Sequence, residues 1–193
     1  AGMERLTNLE RRIAEAAAAA PMLAQVERWA AVNSGSRNLA GLKQVAGLLA
    51  DAFSALPGNI SLIAAAPVDA VDSNGRVEPV MHGDHLRLSV RPDAPVRMLF
   101  TGHMDTVFGV DHPFQTLAAM DDGRINGPGT ADMKGGLAVM LAALSALEAS
   151  GGAAGFGYDV IVNSDEEVGS LSSAGLIAEL AKGKVAAFTY EPA

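Results

Sequence analysis

Apolar residues recur at helical spacing through the first third of the chain. Leu6, Leu9, Ile13 and Ala17 form one stripe. Met22, Val26 and Trp29 form a second, after Pro21, a residue suited to the first turn of a helix. A longer stripe of Leu42, Val45, Leu49, Phe53 and Leu56 stops at Pro57-Gly58. Asn33-Ser34-Gly35-Ser36 predicts a turn between the second and third helices.

The pattern then shortens to strand length. Residues 60–63 predict a short strand, and residues 67–80, with Pro, Asp, Asn and Gly, predict a loop. From residue 85 to 91 apolar and polar positions alternate, with Leu86, Leu88 and Val90 inward, as in a half-buried strand. His82-Gly83-Asp84-His85, just before it, has the residue types of a ligand cluster, but its place between strands predicts a hairpin turn. Residues 96–101 are almost continuously apolar, as are 160–162 and 185–190; each predicts a strand buried on both faces. Asp121-Asp122-Gly123 is a hairpin signal. Leu137, Met140, Leu141, Leu144 and Leu147 form a helix closed by Gly151-Gly152, and Leu176, Ile177 and Leu180 a shorter one closed by Gly183. Strands alternating with helices predict an α/β fold: a mixed, largely parallel central sheet with helices on both faces.

Composition narrows the chemistry. The 193 residues suit one domain, and a net charge of −8 argues against a nucleic-acid or anionic membrane surface. No apolar run approaches the roughly 18 residues of a membrane span. The alanine-rich run 16–20 lacks the bulky residues of a signal peptide, and a cytoplasmic protein is the expectation. Ala1-Gly2 ahead of Met3 reads as a cloning remnant. Without cysteine, a metal must be held by His, Asp and Glu, which suits zinc, cobalt or manganese.

Such residues gather where strands are predicted to end. His103 follows one strand, and Asp105, two residues on, suits the role of hydrogen-bond partner to its ring. Asp132 lies between a glycine-rich turn and an apolar helix. It reads either as a helix N-cap or as a carboxylate bridging two cations, with Gly127, Gly129, Gly135 and Gly136 allowing close backbone approach. These glycines match no phosphate-loop or dinucleotide pattern. Glu166 and Glu167 are adjacent carboxylates at the end of a buried strand, a costly pairing without a cation. If Glu167 binds metal, Glu166 is free to act as a general base. Glu191, before Pro192, ends the third strand and is a fourth ligand candidate.

Four motifs together carry a resemblance: Thr101-Gly-His-Met-Asp-Thr-Val107, Gly127-Pro-Gly-Thr-Ala-Asp-Met-Lys-Gly-Gly136, Asn163-Ser-Asp-Glu-Glu-Val-Gly-Ser170 and Tyr190-Glu-Pro192. In order and spacing they resemble the di-zinc amide hydrolases, a family of glutamate carboxypeptidase, acetylornithine deacetylase, succinyl-diaminopimelate desuccinylase and aminoacylase. The wording is most similar to the glutamate carboxypeptidase branch. The resemblance implies two zinc ions, with His103, Asp132 and Glu191 on one, and Asp132, Glu167 and a second histidine on the other. Asp105 would orient His103, and Glu166 would activate water and protonate the leaving amine. A cis peptide after Asp132 is also implied.

Family members are longer. They insert a lid and dimerisation domain after the Glu-Pro motif and return with the last histidine ligand. Here His82, His85 and His112 all precede Asp132, and none matches that ligand. Residues 3–193 therefore read as the N-terminal portion of a catalytic domain, inactive as it stands. The substrate implied for the whole enzyme is a small peptide or N-acyl amino acid. Carboxypeptidase, deacylase and dipeptidase activity remain open, and a non-catalytic metal-binding or interaction module is the alternative from another class.

Overall fold

The computed structural model describes residues 6–192; Ala1-Gly2 lies outside them. Its centre is a five-stranded sheet in the order β1-β4-β8-β5-β9. The strands are β1 (Asn59–Ile63), β4 (His85–Val90), β5 (Val96–His103), β8 (Phe156–Asn163) and β9 (Ala186–Thr189). β1–β4 and β4–β8 pair antiparallel, whereas β5 runs parallel to both β8 and β9. The sheet is mixed, as expected, but its pairings divide evenly between parallel and antiparallel.

Helices cover both faces. One face of β4, β5 and β8, with Leu86, Leu88, Phe100, Tyr158, Val160 and Val162, packs on α2 (Met22–Ala30), α3 (Leu39–Phe53) and α4 (Gly136–Ala149) through Trp29, Val45, Leu49, Phe53, Leu137 and Met140. The other face, through Leu99 and Ile161, meets Leu176, Ile177 and Leu180 of α5 (Ala174–Ala181). α1 (Asn8–Ala18) starts in a capping box, with Thr7 and Glu10 exchanging side-chain and backbone hydrogen bonds, and lies against α4.

Three expectations need correction. Residues 67–80 are not a loop: β2 (Val68–Val71) and β3 (Val77–Val80) pair as an exposed hairpin around a turn in which Asp72 accepts from the N–H groups of Asn74 and Arg76. The strand signal was masked because neither face of this hairpin is buried. β9 is apolar in sequence but lies at the sheet edge, with Phe188 49% exposed. The stretch Thr130–Ala149 does reach the length and mean hydropathy, 1.2, of a membrane span. Half of it is buried, and Leu137, Met140, Leu141 and Leu144 lie in the core, so it is a core helix by packing. The expected hairpin at residues 121–123 joins β6 (Ala118–Ala119) to β7 (Ile125–Asn126).

Candidate metal centre

Parallel pairing brings three strand ends to one edge. His103 at the end of β5 is in register with Asn163 at the end of β8, and Thr101 with Thr189 at the end of β9. Each strand then delivers acidic residues just beyond its carboxyl end, the usual place for a ligand site in an α/β sheet. The His103 ring is buried, and its Nε2 faces a fan of carboxylates: Asp132 Oδ1 at 3.0 Å, Glu191 Oε1 at 3.5 Å and Glu166 Oε2 at 3.9 Å. Two groups have ligand atoms that all lie within 4.8 Å of one another: His103, Asp132 and Glu191, and His103, Glu166 and Glu167. The structure thus brings together five of the six residues singled out in the sequence around one imidazole. In the second group Glu166 stands where the resemblance implies Asp132.

Asp105, the sixth, works beneath the cluster. The His103 Nδ1–H meets Asp105's own carbonyl oxygen at 2.9 Å and its carboxylate at 3.3 Å. This turns Nε2 toward the acids. The Asp105 carboxylate, fully buried, also accepts from Ser36 Oγ (2.6 Å) and from the backbone N–H groups of Glu166 and Glu167 (3.1 Å each). It therefore orients the short helical turn Glu166–Val168 as well as the imidazole.

Charge in the cluster is unbalanced. Burial raises the pKa of Glu167, and the nearby Asp132 carboxylate raises it further. Burial likewise raises that of Glu191, with Asp132 and Glu166 adding repulsion against the attraction of His103. Burial disfavours a charged His103, but the hydrogen bond and charge of Asp105 and the charge of Glu191 prevail and raise it to about 9. Clustered carboxylates around an oriented imidazole are the hard-oxygen and nitrogen donor set that zinc, cobalt or manganese prefers. The residues present fit a divalent cation.

The turn Thr130–Gly135 carries Asp132 out of helical geometry, at φ −118° and ψ 98°, and the peptide from Asp132 to Met133 is cis. Asp132 is not an N-cap: it makes no side-chain capping bond to α4. Behind it Lys134 is buried, and its Nζ donates to the Val32 carbonyl at 3.3 Å. Burial pushes its pKa down to about 8.

Asp165 and His85, neither of them among the predicted site residues, form the support for the glutamates. His85 is the buried first residue of β4 rather than part of a turn, and the segment before it joins two sheets, not a hairpin. The Ser164 N–H donates to His85 Nδ1 (3.2 Å), so the ring proton sits on Nε2 and points to Ser172 Oγ (3.2 Å). Ser172 Oγ donates in turn to Asp165 Oδ2 (2.7 Å), which also accepts from the Ser172 N–H, while Ser173 Oγ donates to Oδ1 (2.7 Å). Asp165 was visible as part of an acidic run, but spacing gave no sign that β4 would supply its partner.

This chain of bonds needs a neutral His85, and burial lowers its pKa despite the nearby Asp165 charge. A histidine whose folded pKa lies below its unfolded value, about 6.5, favours folding above that value and loses this as pH falls below it. Stability of the wild type should therefore fall between pH 6.5 and 5 more steeply than that of His85→Gln, by at most about 1.4 kcal/mol per pH unit. Urea unfolding across that range measures it; parallel slopes would mean that His85 is not held neutral.

Residues 99–192 match the model of peptidase family M20/M25/M40. Over 110 residues the chain is 34% identical to Carboxypeptidase G2 of Pseudomonas sp. (strain RS-16), which covers 57% of this chain and 26% of that protein. Among solved structures, human carnosine dipeptidase 1 superposes with a TM-score of 0.66 at 21% identity, over 91% of this chain and 38% of that one. The di-peptidase Dug1p of Saccharomyces cerevisiae gives 0.68 at 19%, over 94% and 40%. The M20 metallo-carboxypeptidase Sso-CP2 of Sulfolobus solfataricus gives 0.66 at 17%, over 89% and 37%. The chain thus spans about a quarter of the curated relative's length and about two-fifths of the structural ones. His103, Asp105, Asp132, Glu166, Glu167 and Glu191 all lie within residues 99–192, the part of the chain that matches the model of peptidase family M20/M25/M40.

Proposed function

We propose that the chain supplies the N-terminal part of the catalytic unit of a zinc-dependent hydrolase that cleaves an amide bond beside a free amino acid, in the manner of a carboxypeptidase. One observation carries this reading: a buried, oriented imidazole whose Nε2 faces three carboxylates, Asp132 from the turn before α4, Glu166 beyond β8 and Glu191 beyond β9. His103, Asp132 and Glu191 would hold one ion. Asp132 and Glu167 would hold a second, together with a histidine from a further part of the protein. Zinc bound there would polarise the amide carbonyl and lower the pKa of water; cobalt or manganese could substitute.

The chain's own residues divide the remaining work. Asp105 holds His103 and the Glu166–Glu167 backbone in one frame. Glu166 accepts a proton from the attacking water and returns it to the leaving amine. The 193 residues alone, with two protein ligands for the second ion where a catalytic zinc usually takes three, are catalytically silent on this reading. The substrate is a small peptide or N-acyl amino acid, the setting is cytoplasmic, and the complete protein pairs as a homodimer through a further domain.

In the full-length protein, Glu166→Gln should lower kcat by about 10²–10⁴-fold while zinc content, read by atomic absorption, stays at the wild-type level. Wild-type turnover in Glu166→Gln would remove Glu166 as the base. Zinc binding with no turnover of any peptide or N-acyl amino acid would favour a non-catalytic metal module.

A further inference from the structure

Beside the carboxylate cluster lies a cavity of about 380 Å³ that no residue role above uses. Asp132 and Glu167 form its inner end. Its walls are apolar: Val107, Phe108, Phe114 and Ile125. The two phenylalanine rings meet edge to face, 5.0 Å apart at 72°, and make a rigid corner. Its volume lies at the small end of the roughly 300–1,000 Å³ typical of ligand pockets.

The polar groups of the cavity are already engaged. Thr130 Oγ1 donates to the Gly127 carbonyl at 2.8 Å, and Thr106 Oγ1 accepts the Phe108 N–H at 3.3 Å. Among the described residues no lysine, arginine or histidine lines it. With Asp132 and Glu167 engaged on metal, the apolar walls beyond them offer a negatively charged group no cationic side chain and no hydrogen-bond donor from a side chain. The floor has no room to spare, since a Cβ on Gly129 would press on the Thr106 methyl group at 2.8 Å.

The position of the cavity decides which part of a substrate it takes. Glu166, which would protonate the leaving amine, does not line this cavity; it lines a separate recess with Ser170, Thr189 and Glu191. The Asp132–Glu167 flank is therefore left for the acyl side of the amide. We infer that this cavity is the acyl subsite, and that it selects an uncharged apolar acyl group large enough to reach the Phe108–Phe114 corner, over a short acyl group and against an anionic one. The inference rests on the hydrolase reading for its assignment to the acyl side.

The test uses N-phenylacetyl-, N-acetyl- and N-succinyl-L-glutamate, which share one amine half. With zinc supplied, saturation-transfer NMR on the chain should show the phenyl protons of the first ligand in contact with protein. Its Kd should be at least about tenfold below that of the acetyl ligand, the size of effect a few buried carbons give, and the succinyl ligand should bind no better than acetyl. Phe114→Ala should reduce the phenylacetyl-to-acetyl ratio about fivefold or more. Val107→Trp, made at a residue 64% exposed and outside the core, should fill the cavity and abolish the phenyl signal. Equal affinities for all three ligands, or ratios unmoved in both variants, would overturn the assignment. The full-length protein separates the two readings. Phenyl contact without hydrolysis keeps the pocket and removes the hydrolase; hydrolysis with a ratio insensitive to both variants does the reverse.

Discussion

Asp105→Ala should destabilise the protein by about 2–5 kcal/mol, well above the effect of an ordinary polar substitution. The carboxylate is fully buried and serves four donors at once: Ser36 Oγ, the His103 ring, and the N–H groups of Glu166 and Glu167. Ser36 is itself buried, so water does not replace its lost acceptor, whereas the His103 ring keeps the Asp105 carbonyl and loses only the carboxylate charge beside it. Each orphaned buried donor costs about 1–3 kcal/mol. The two glutamate N–H groups lie nearer solvent and add less. Asp105→Asn keeps one oxygen acceptor and should lose clearly less. Urea unfolding with both variants tests the argument, and a loss below about 1 kcal/mol for Asp105→Ala would show that the carboxylate organises nothing. The same variant should weaken zinc binding about 10–100-fold, because the imidazole would lose the carboxylate that raises its basicity and the Glu166–Glu167 backbone would lose its anchor.

Asp105 also marks the limit of what the sequence disclosed. Its position two residues after a strand-end histidine was enough to suggest an orienting partner. Its larger role was not legible, because Ser36 and the Glu166–Glu167 amides reach it from 69, 61 and 62 residues away. The same holds for His85. Local pattern set it in a turn, and only the antiparallel pairing of β4 with β8 brings it to Ser164, and through Ser172 to Asp165. By contrast, the core strands β4, β5 and β8 were readable because burial on one or both faces imposes a period on the residues themselves. β9 shares the apolar pattern of a central strand yet lies at an edge, since pattern reports apolarity and not the number of neighbours. The site residues were readable for a chemical reason: adjacent carboxylates at the end of a buried strand have few structural uses.

Gly136→Ala should detach Glu191 from the cluster without touching any ligand. Gly136 is the first residue of α4, and it packs directly against the backbone of Tyr190, the residue before Glu191. A Cβ built there would overlap the Tyr190 carbonyl oxygen and lie 3.1 Å from the Tyr190 Cβ. The Gly136 φ of −61° is an ordinary helical value, so alanine is disfavoured by space and not by backbone conformation. Something must therefore move. α4 is anchored in the core by Leu137, Met140 and Leu144, whereas the segment after β9 is held at the sheet edge. The lighter anchoring yields, and the Tyr190–Glu191 segment shifts outward. Glu191 Oε1, 3.5 Å from His103 Nε2, would then leave the group it forms with His103 and Asp132. The expected result is zinc affinity lowered about 10–100-fold in a protein that still unfolds cooperatively, with Glu191→Ala giving a loss of the same size and the double variant giving no more than either alone. Calorimetric titration of zinc into the three variants measures this. Additive losses in the double variant would show that Gly136 acts on the site by some route other than Glu191.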